Sequence, residues 1–282
     1  MKAAAFDYVR AETLTEALRH LSQRGEGARL IAGGQSLAPA LNLRLAAPEL
    51  LVDIGGLSDL RYIAPAGEVL RIGALTRHVD IARSEWIARY CPLLTRAIAE
   101  VAHPAIRNRG TLGGSLAQAD PAAELPACMV ALDAVIVATD ASGERRIAAR
   151  DFFRGLYETA LRPHEVLTGV EIGGLDAARA YGFAELSRRC GDFAIVGLAL
   201  AARRRGAGLD EIKLVYFGVA DRPTPAPAAA AALAAQDVAA ARAALAAELD
   251  PPADAQASAA MRLHLAGVML ERAYAQALEP AR

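Results

Sequence analysis

Cysteine is scarce and scattered in this 282-residue chain. The three cysteines, Cys91, Cys128 and Cys190, are far apart and lack the spacing of a metal site. Their positions exclude a disulfide framework, and they argue against an iron–sulfur cluster held by this chain alone. The scarcity is typical of a reducing compartment, so we expect a cytoplasmic protein.

Long apolar runs are also absent. No stretch approaches the ~20 apolar residues that a transmembrane helix needs. The longest apolar run, residues 194–202, is better interpreted as a buried strand. Residues 1–7 lack the apolar segment of a secretory signal. We therefore expect no integral membrane segment.

Several common functional motifs are missing as well. The chain has no GxGxxG, GxxxxGK[ST] or HExxH, and residues 33–37 do not form the GxSxG of hydrolases. The formal net charge is -1, so no general field favours nucleic acid, and we expect no nucleic-acid partner. Lysine occurs only at Lys2 and Lys213, and nearly all basic residues are therefore arginine.

Two glycine-pair loops are the most informative feature that the chain does have. The first is IAGGQS at residues 31–36, and the second is TLGGS at residues 111–115. Glycine lets the backbone turn at positive φ and lets another group approach closely. Successive free N–H groups in such a turn form an anion-binding concavity. Two such loops on one chain predict a pyrophosphate held between them.

Hydrophobic periodicity divides the chain into three units and predicts an α+β fold. Residues 1–57 fit a small strand–helix–strand unit. Residues 58–174 combine short strands with amphipathic helices and a hairpin turn at residues 140–143. Residues 175–282 contain three strand patterns that suit an antiparallel sheet, followed by alanine-rich helices.

Capping patterns give finer expectations about the helices. Thr13 and Glu16 form a capping-box pattern, and Thr76 is predicted to cap a helix that runs to Ser84. The last helix is predicted to begin near Ser258. Its apolar face is predicted to hold Met261, Leu265, Val268 and Met269.

Charged residues flank the second loop. Asp120 and Glu124 follow it, where they either accept ribose hydroxyls or favour a helix start without any ligand. Arg107 and Arg109 precede it, and they pair with phosphates, dock a partner chain or form a solvated basic turn.

Four long segments resemble the flavin-binding medium subunit of the molybdenum hydroxylases, the group of aerobic carbon monoxide dehydrogenase and xanthine dehydrogenase. They are FDYVRAETLTEAL (6–18), AGGQSLAPALNLRLAAPELLVDI (32–54), IRNRGTLGGSLAQADPAAELPA (106–127) and RRCGDFAIVG (188–197). The similarity runs nearly from end to end. The first loop, AGGQS, is more similar to the carbon monoxide dehydrogenase side of the family.

The resemblance implies a two-subdomain FAD-binding fold of the PCMH type, followed by a C-terminal domain with a three-stranded antiparallel sheet and helices. It implies one non-covalent FAD whose pyrophosphate lies on the two loops, with apolar and aromatic residues along the flavin. The cofactor-binding residues that it indicates are Ile31, Ala32, Gly33, Gly34, Gln35, Ser36, Leu37, Val101, Thr111, Gly113, Gly114, Ser115, Asp120, Glu124, Leu167 and Phe193.

The function implied is that of an FAD-binding electron-transfer subunit, with no catalytic acid or base on this chain. The molybdenum cofactor is expected on a large subunit and the [2Fe-2S] clusters on a small subunit, in a dimer of heterotrimers. Two alternatives remain open from the sequence: a self-contained flavin oxidoreductase, and a flavin-free assembly protein. The external electron acceptor and the substrate are not indicated.

Overall fold

The computed structural model describes residues 2–174, 178–206 and 208–279. In the described residues, three main β-sheets follow one another along the chain, a small two-stranded sheet lies between the second and third of them in sequence, and helices pack against the main sheets, as the predicted α+β class requires. Within the described ranges, no helix combines the length and the hydropathy needed to cross a membrane.

The first sheet has three parallel strands, with β3 between β1 and β2. Because the strands are parallel, Ile31 and Asp53 end at the same edge of the sheet. The elements of this unit are β1 (Asp7–Arg10), α1 (Leu14–Arg24), β2 (Ala28–Ile31), α2 (Leu37–Asn42) and β3 (Leu50–Asp53), with short 3-10 turns at Gly25–Gly27 and Ser58–Leu60.

Helix α1 begins as the sequence predicts, with one difference in its cap. The Thr13 hydroxyl accepts a hydrogen bond from the Glu16 amide at 3.1 Å. The Glu16 carboxylate accepts from the amide of Glu12 rather than from that of Thr13. Gly25 ends the helix at φ +53°, a conformation that glycine adopts without strain.

The second sheet has five antiparallel strands in the order β4-β5-β10-β6-β7. Helix α7 packs on β10, and Leu70, Ile72 and Ile136 of this sheet share one hydrophobic core with residues of α5, α7 and α8. The elements are β4 (Ile63–Ala66), β5 (Val69–Gly73), α3 (His78–Arg83), α4 (Glu85–Tyr90), α5 (Pro92–Glu100), α6 (Pro104–Arg107), α7 (Leu112–Gln118), α8 (Glu124–Ala131), β6 (Val135–Asp140), β7 (Gly143–Ala148), α9 (Ala149–Phe152), β8 (Phe153–Gly155), β9 (Glu158–Thr159) and β10 (Val166–Gly173).

The third sheet contains four antiparallel strands, not the three predicted. The added strand, β14, has two residues, and its Pro225 lies at the edge of the sheet, where a missing N–H is tolerated. Its brevity explains why periodicity does not detect it. The elements are β11 (Arg179–Ser187), β12 (Ala194–Arg205), β13 (Gly208–Phe217), β14 (Thr224–Pro225), α10 (Pro227–Ala234), α11 (Val238–Glu248) and α12 (Ala259–Leu278).

Helix α12 packs on β11 and β12, and Ser258 caps it as predicted. Its predicted apolar face is partly wrong, because Met261 is half exposed. The buried face instead contains Ala266, Met269 and Leu270. Arg262 is also buried there, and its guanidinium donates to the Ile195 and Gly218 carbonyls and to the Asp254 carboxylate.

One core joins the second and third sheets. Helices α5 and α8 lie between them, and the core continues into β11 and β13 through Phe183 and Phe217. The two rings stack with centroids 5.8 Å apart. The second sheet and the third are therefore held in one packed arrangement, and residues at the ends of α5 and α8 lie between them.

Candidate functional site

A cavity of about 380 Å³ opens at the first glycine loop. It lies at the edge where the parallel strands β2 and β3 end, which is where ligands commonly bind to open parallel sheets. Its lining residues are Tyr8, Ile31, Ala32, Gly33, Gly34, Gln35, Ala38, Asp53 and Arg109.

The first loop presents backbone donors that the protein does not use. Within the described chain, the N–H groups of residues 33–37 make no hydrogen bond to another protein group. Gly34 has φ +71°, which glycine adopts easily. The Gln35 amide donates to the Gly33 carbonyl at 2.9 Å, and this bond folds the side chain back onto its own loop. The loop therefore has the free donors that the sequence predicts for an anion site.

The second loop differs from this expectation. Its four amides are all bonded: Leu112 donates to Thr76, Gly113 to Ala74, Gly114 to the Thr111 hydroxyl and Ser115 to the Thr111 carbonyl. The prediction of free N–H groups here is wrong. The segment forms the first turn of α7, with Thr111 as its N-cap, and the segment at residues 74–76 supplies the other acceptors.

The two glycines of the second loop differ, because Gly113 packs against a neighbour and Gly114 is exposed. A Cβ on Gly113 would lie 2.6 Å from the Cβ of Ala74, so a side chain has no room there. Gly114 is exposed, and a Cβ would meet only the Thr111 hydroxyl, at 2.8 Å. The Ser115 hydroxyl, which is half buried, makes no hydrogen bond within the described residues. Gly114 and Ser115 are thus the part of this loop that can face a ligand.

The two loops touch through the residues that precede the second one. A Cβ on Gly33 would overlap the Arg109 carbonyl oxygen and lie 3.0 Å from the Gly110 Cα. Glycine is therefore required at position 33 by the neighbouring backbone. Arg107 is half buried, and its guanidinium donates to the carbonyls of Val101 at 2.8 Å and Ala102 at 2.7 Å.

Two acids after the second loop lie in different surroundings. Asp120 accepts from the Ala122 amide at 2.9 Å and from the Tyr157 hydroxyl at 3.3 Å. Glu124 begins α8 and is only 8% exposed, and its carboxylate accepts a hydrogen bond from its own backbone amide. Burial, together with the charges of Asp120 and Glu100, raises its pKa to about 7.

The sequence analysis did not single out Glu185, a second buried acid. Burial, followed by the charges of Glu124 and Glu100, raises its pKa to about 8. Its Oε2 is buried without a hydrogen-bond partner in the described chain. Glu185 lies within a strand pattern, where nothing local indicates that it meets α8.

The predicted flavin-lining residues fall into two groups. Val101 and Leu167 are buried in the core between the second and third sheets. Phe193 is 63% exposed. Its segment lies close to that of Val101, because a Cβ on Gly191 would be 2.7 Å from the His103 ring and 3.0 Å from the Ala102 carbonyl carbon. The described residues thus bring Gly191 beside residues 102 and 103.

The predicted residues do not all share one cavity. Residues 31–35 line the cavity at the first loop, whereas Ser36 and Leu37 follow as the cap and first residue of α2. The second loop, the acids and the flavin-lining positions lie outside its lining. Tyr8 and Asp53 line it and were not predicted. The signal for Asp53 was its position at the carboxyl end of a parallel strand.

The donor set at the first loop fits a dinucleotide pyrophosphate. The unbonded amides of the loop and the guanidinium group of Arg109, which lines the cavity, are groups that phosphate oxygens accept from. Among the described residues, no group of three or more His, Cys, Asp or Glu is placed to hold a metal ion.

Residues 4–173 match the family described as the FAD binding domain in molybdopterin dehydrogenase. The chain belongs to this family. Residues 181–277 match the CO dehydrogenase flavoprotein C-terminal domain. This chain is thus an oxidoreductase component, an FAD-binding medium subunit of the molybdenum-hydroxylase type, and its cofactor is FAD.

Relatives of this family are similar over nearly their whole length. The 6-hydroxypseudooxynicotine dehydrogenase complex subunit alpha of Paenarthrobacter nicotinovorans is 39% identical over 100% of this chain and 97% of its own. The carbon monoxide dehydrogenase medium chain of Afipia carboxidovorans is 35% identical over 100% of both. In the crystal structure of quinoline 2-oxidoreductase from Pseudomonas putida 86, a chain 36% identical superposes with a TM-score of 0.94, covering 100% of this chain and 99% of that one.

Proposed function

We propose that this family member is an electron-transfer subunit that holds one FAD between partner subunits and an external acceptor. When bound, FAD supplies reversible two-electron redox chemistry, and the protein supplies binding, orientation and electrostatics. The observation that carries the proposal is the first loop, whose five consecutive amides at residues 33–37 are unbonded beside a cavity.

The residues proposed to hold the pyrophosphate are those of the two loops. The amides of residues 33–37 donate to phosphate oxygens, and the Ser115 hydroxyl adds a donor from the second loop. Thr111 acts through the cap of α7, which holds Gly114 and Ser115 in place. Gly113 lets the first turn of α7 pack closely on Ala74, and this packing holds the second loop in place.

Asp120 and Glu124 are proposed to accept hydrogen bonds from hydroxyl groups of the nucleotide. A pKa near 7 leaves Glu124 partly protonated at neutral pH, so it can donate as well as accept. Burial makes a hydrogen-bond partner for this carboxyl valuable, since an unpaired buried polar group costs roughly 1–3 kcal/mol.

Val101, Leu167 and Phe193 are proposed to border the isoalloxazine ring. Val101 and Leu167 offer buried apolar surface that excludes water. Phe193 offers an exposed aromatic face beside the segment of Val101. Aromatic side chains with one exposed face commonly stack on planar ligands or on partner chains.

The proposed partners are a small iron–sulfur subunit and a large molybdenum-binding subunit, assembled as a dimer of heterotrimers in the cytoplasm. Two relatives support this, since their names are those of a complex subunit and of a medium chain.

The names of the relatives include 6-hydroxypseudooxynicotine, carbon monoxide and quinoline, so the family does not select one substrate. We also propose domains at 1–57, 58–174 and 175–282, each with one main sheet.

Affinity purification of the tagged chain from its native host tests the proposal. We expect two further subunits to co-purify, with molybdenum and iron measured by mass spectrometry and flavin measured by absorbance. Oxidisable substrates of the relatives' classes are then mixed anaerobically with the complex, and flavin bleaching is followed by stopped flow.

The tagged chain expressed alone in a heterologous host is the control. It should hold flavin without molybdenum or iron, and it should not be bleached by those substrates. Purification of a single chain without metals from the native host would contradict the proposed assembly. Substrate oxidation by the isolated chain would contradict the electron-transfer role.

A further inference from the structure

We propose that the guanidinium of Arg109 is the cation that neutralises the FAD pyrophosphate at the first glycine loop. This inference rests on the proposed function, and it adds a residue outside both loops to the cofactor site. Among the described residues that line the cavity at the first loop, Arg109 is the one with a positive charge.

The backbone of Arg109 is fixed against the first loop. Its amide donates to the Ile106 carbonyl at 3.0 Å, and its own carbonyl lies against the Cα of Gly33. A residue with a Cβ at position 33 would push this carbonyl away. The contact therefore holds Arg109 beside the first loop, where it lines the cavity, although the two residues are far apart in sequence.

The guanidinium of Arg109 is available for a ligand. Within the described chain it makes no hydrogen bond and no ion pair, and the residue is exposed. Arg107, two positions earlier, differs because its guanidinium binds the carbonyls of Val101 and Ala102. The same basic turn thus contains one structural arginine and one with unused donors.

The cavity also contains a negative charge. Asp53 lines the same cavity, and its carboxylate accepts from the Tyr8 hydroxyl at 2.6 Å and from the Gly55 amide at 2.7 Å. These neutral donors stabilise the carboxylate but do not cancel its charge. The loop amides are also neutral. A pyrophosphate beside Asp53 is therefore favoured by a guanidinium, which can donate to two phosphate oxygens at once.

Isothermal titration of the deflavinated full-length chain with FAD and with ADP tests the proposal. ADP carries the pyrophosphate without the flavin. We expect Arg109→Gln to weaken the binding of both ligands about 10- to 100-fold, because a charged hydrogen-bond partner is lost. Arg109→Lys should retain part of the affinity, because it keeps the charge but not the paired donors. Arg29→Gln is the matched control, since Arg29 is exposed on β2 and does not line the cavity.

Salt dependence and thermal unfolding separate charge from structure. Wild-type affinity for ADP should fall more steeply with salt than that of Arg109→Gln, and the Tm without ligand should be unchanged. Equal affinity of Arg109→Gln and wild type would overturn the inference and leave the proposed function intact. Affinity as low in Arg109→Lys as in Arg109→Gln, with equal salt slopes, would also overturn it. Failure of the wild type to bind FAD would overturn the proposed function itself.

Discussion

Gly33 and Arg109 meet backbone to backbone, although they belong to different glycine-loop segments. A Cβ on Gly33 would lie 2.8 Å from the carbonyl carbon of Arg109 and would overlap its oxygen. This contact joins the parallel sheet of the first unit to the turn before α7. The first loop therefore packs on the turn that leads into the second loop, beside the cavity that the first loop lines.

Gly33→Ala is predicted to separate the first loop from the turn before the second loop and to weaken FAD binding at least tenfold. The added methyl group meets backbone, which cannot rotate away, so we expect a destabilisation of about 1–3 kcal/mol. Gly173→Ala is the matched control, because a Cβ there would meet nothing within 4 Å. The check is FAD titration and the Tm of both variants. Full FAD affinity in Gly33→Ala would mean that the contact between the loops does not shape the site.

The glycines at 113 and 114 are predicted to respond differently to valine. Gly113→Val should lower the free energy of unfolding by several kcal/mol, because the side chain enters the contact with Ala74. Gly114→Val should cost only about 1 kcal/mol, through strain on the Thr111 cap, yet lose most FAD affinity.

Urea unfolding of both variants, and FAD titration of those that fold, make the comparison. The prediction is that Gly113→Val mainly loses stability, whereas Gly114→Val mainly loses FAD affinity. If Gly114→Val bound FAD as the wild type does, the exposed side of the second loop would not face the cofactor.

The pKa of Glu185, raised to about 8 by burial and by the charges of Glu124 and Glu100, predicts how stability depends on pH. The folded chain keeps this proton at higher pH than the unfolded chain, whose carboxyl has its ordinary pKa near 4.5. Stability is therefore greatest below the unfolded pKa and falls as pH rises toward 8. At ~1.4 kcal/mol per pKa unit, Glu185→Gln should remove about 3–4 kcal/mol of this loss between pH 5 and pH 8.

Thermal unfolding of both proteins at several pH values measures the difference. Glu26→Gln, an exposed site, should keep the wild-type pH profile. His78, whose pKa burial lowers to about 4, affects stability in the acid range in every variant and cancels in the comparison. Parallel profiles for Glu185→Gln and wild type would show that Glu185 is not the buried acid responsible.

Local signals predicted the secondary structure well where neighbours in sequence decide it. The Thr13 and Ser258 caps, the hairpin after residue 140 and the strand β10 all follow from nearby residues. Thr76 shows the limit of such signals. Its hydroxyl donates to the Tyr62 carbonyl at 2.8 Å, and α3 begins after Arg77 instead. Tertiary packing supplied an acceptor that a capping pattern cannot reveal.

The candidate site likewise has one part that local signals predict and one part that they do not. Glycine and its neighbours predicted the open amides of the first loop, because a turn at positive φ is a local property. The bonded amides of the second loop depend on acceptors at residues 74 and 76, which only the folded chain brings near. The contact of Gly33 with Arg109, and the burial of Glu185 near Glu124, are likewise products of long-range packing.

Flavin stoichiometry of the purified chain decides whether the protein binds one FAD. The chain is saturated with FAD, desalted, and precipitated with acid, and the supernatant is analysed by absorbance and chromatography. The account predicts about one FAD per chain, released intact into the supernatant because the cofactor is held without a covalent bond. A folded chain that retains no FAD after saturation, or flavin that stays in the denatured pellet, would contradict it.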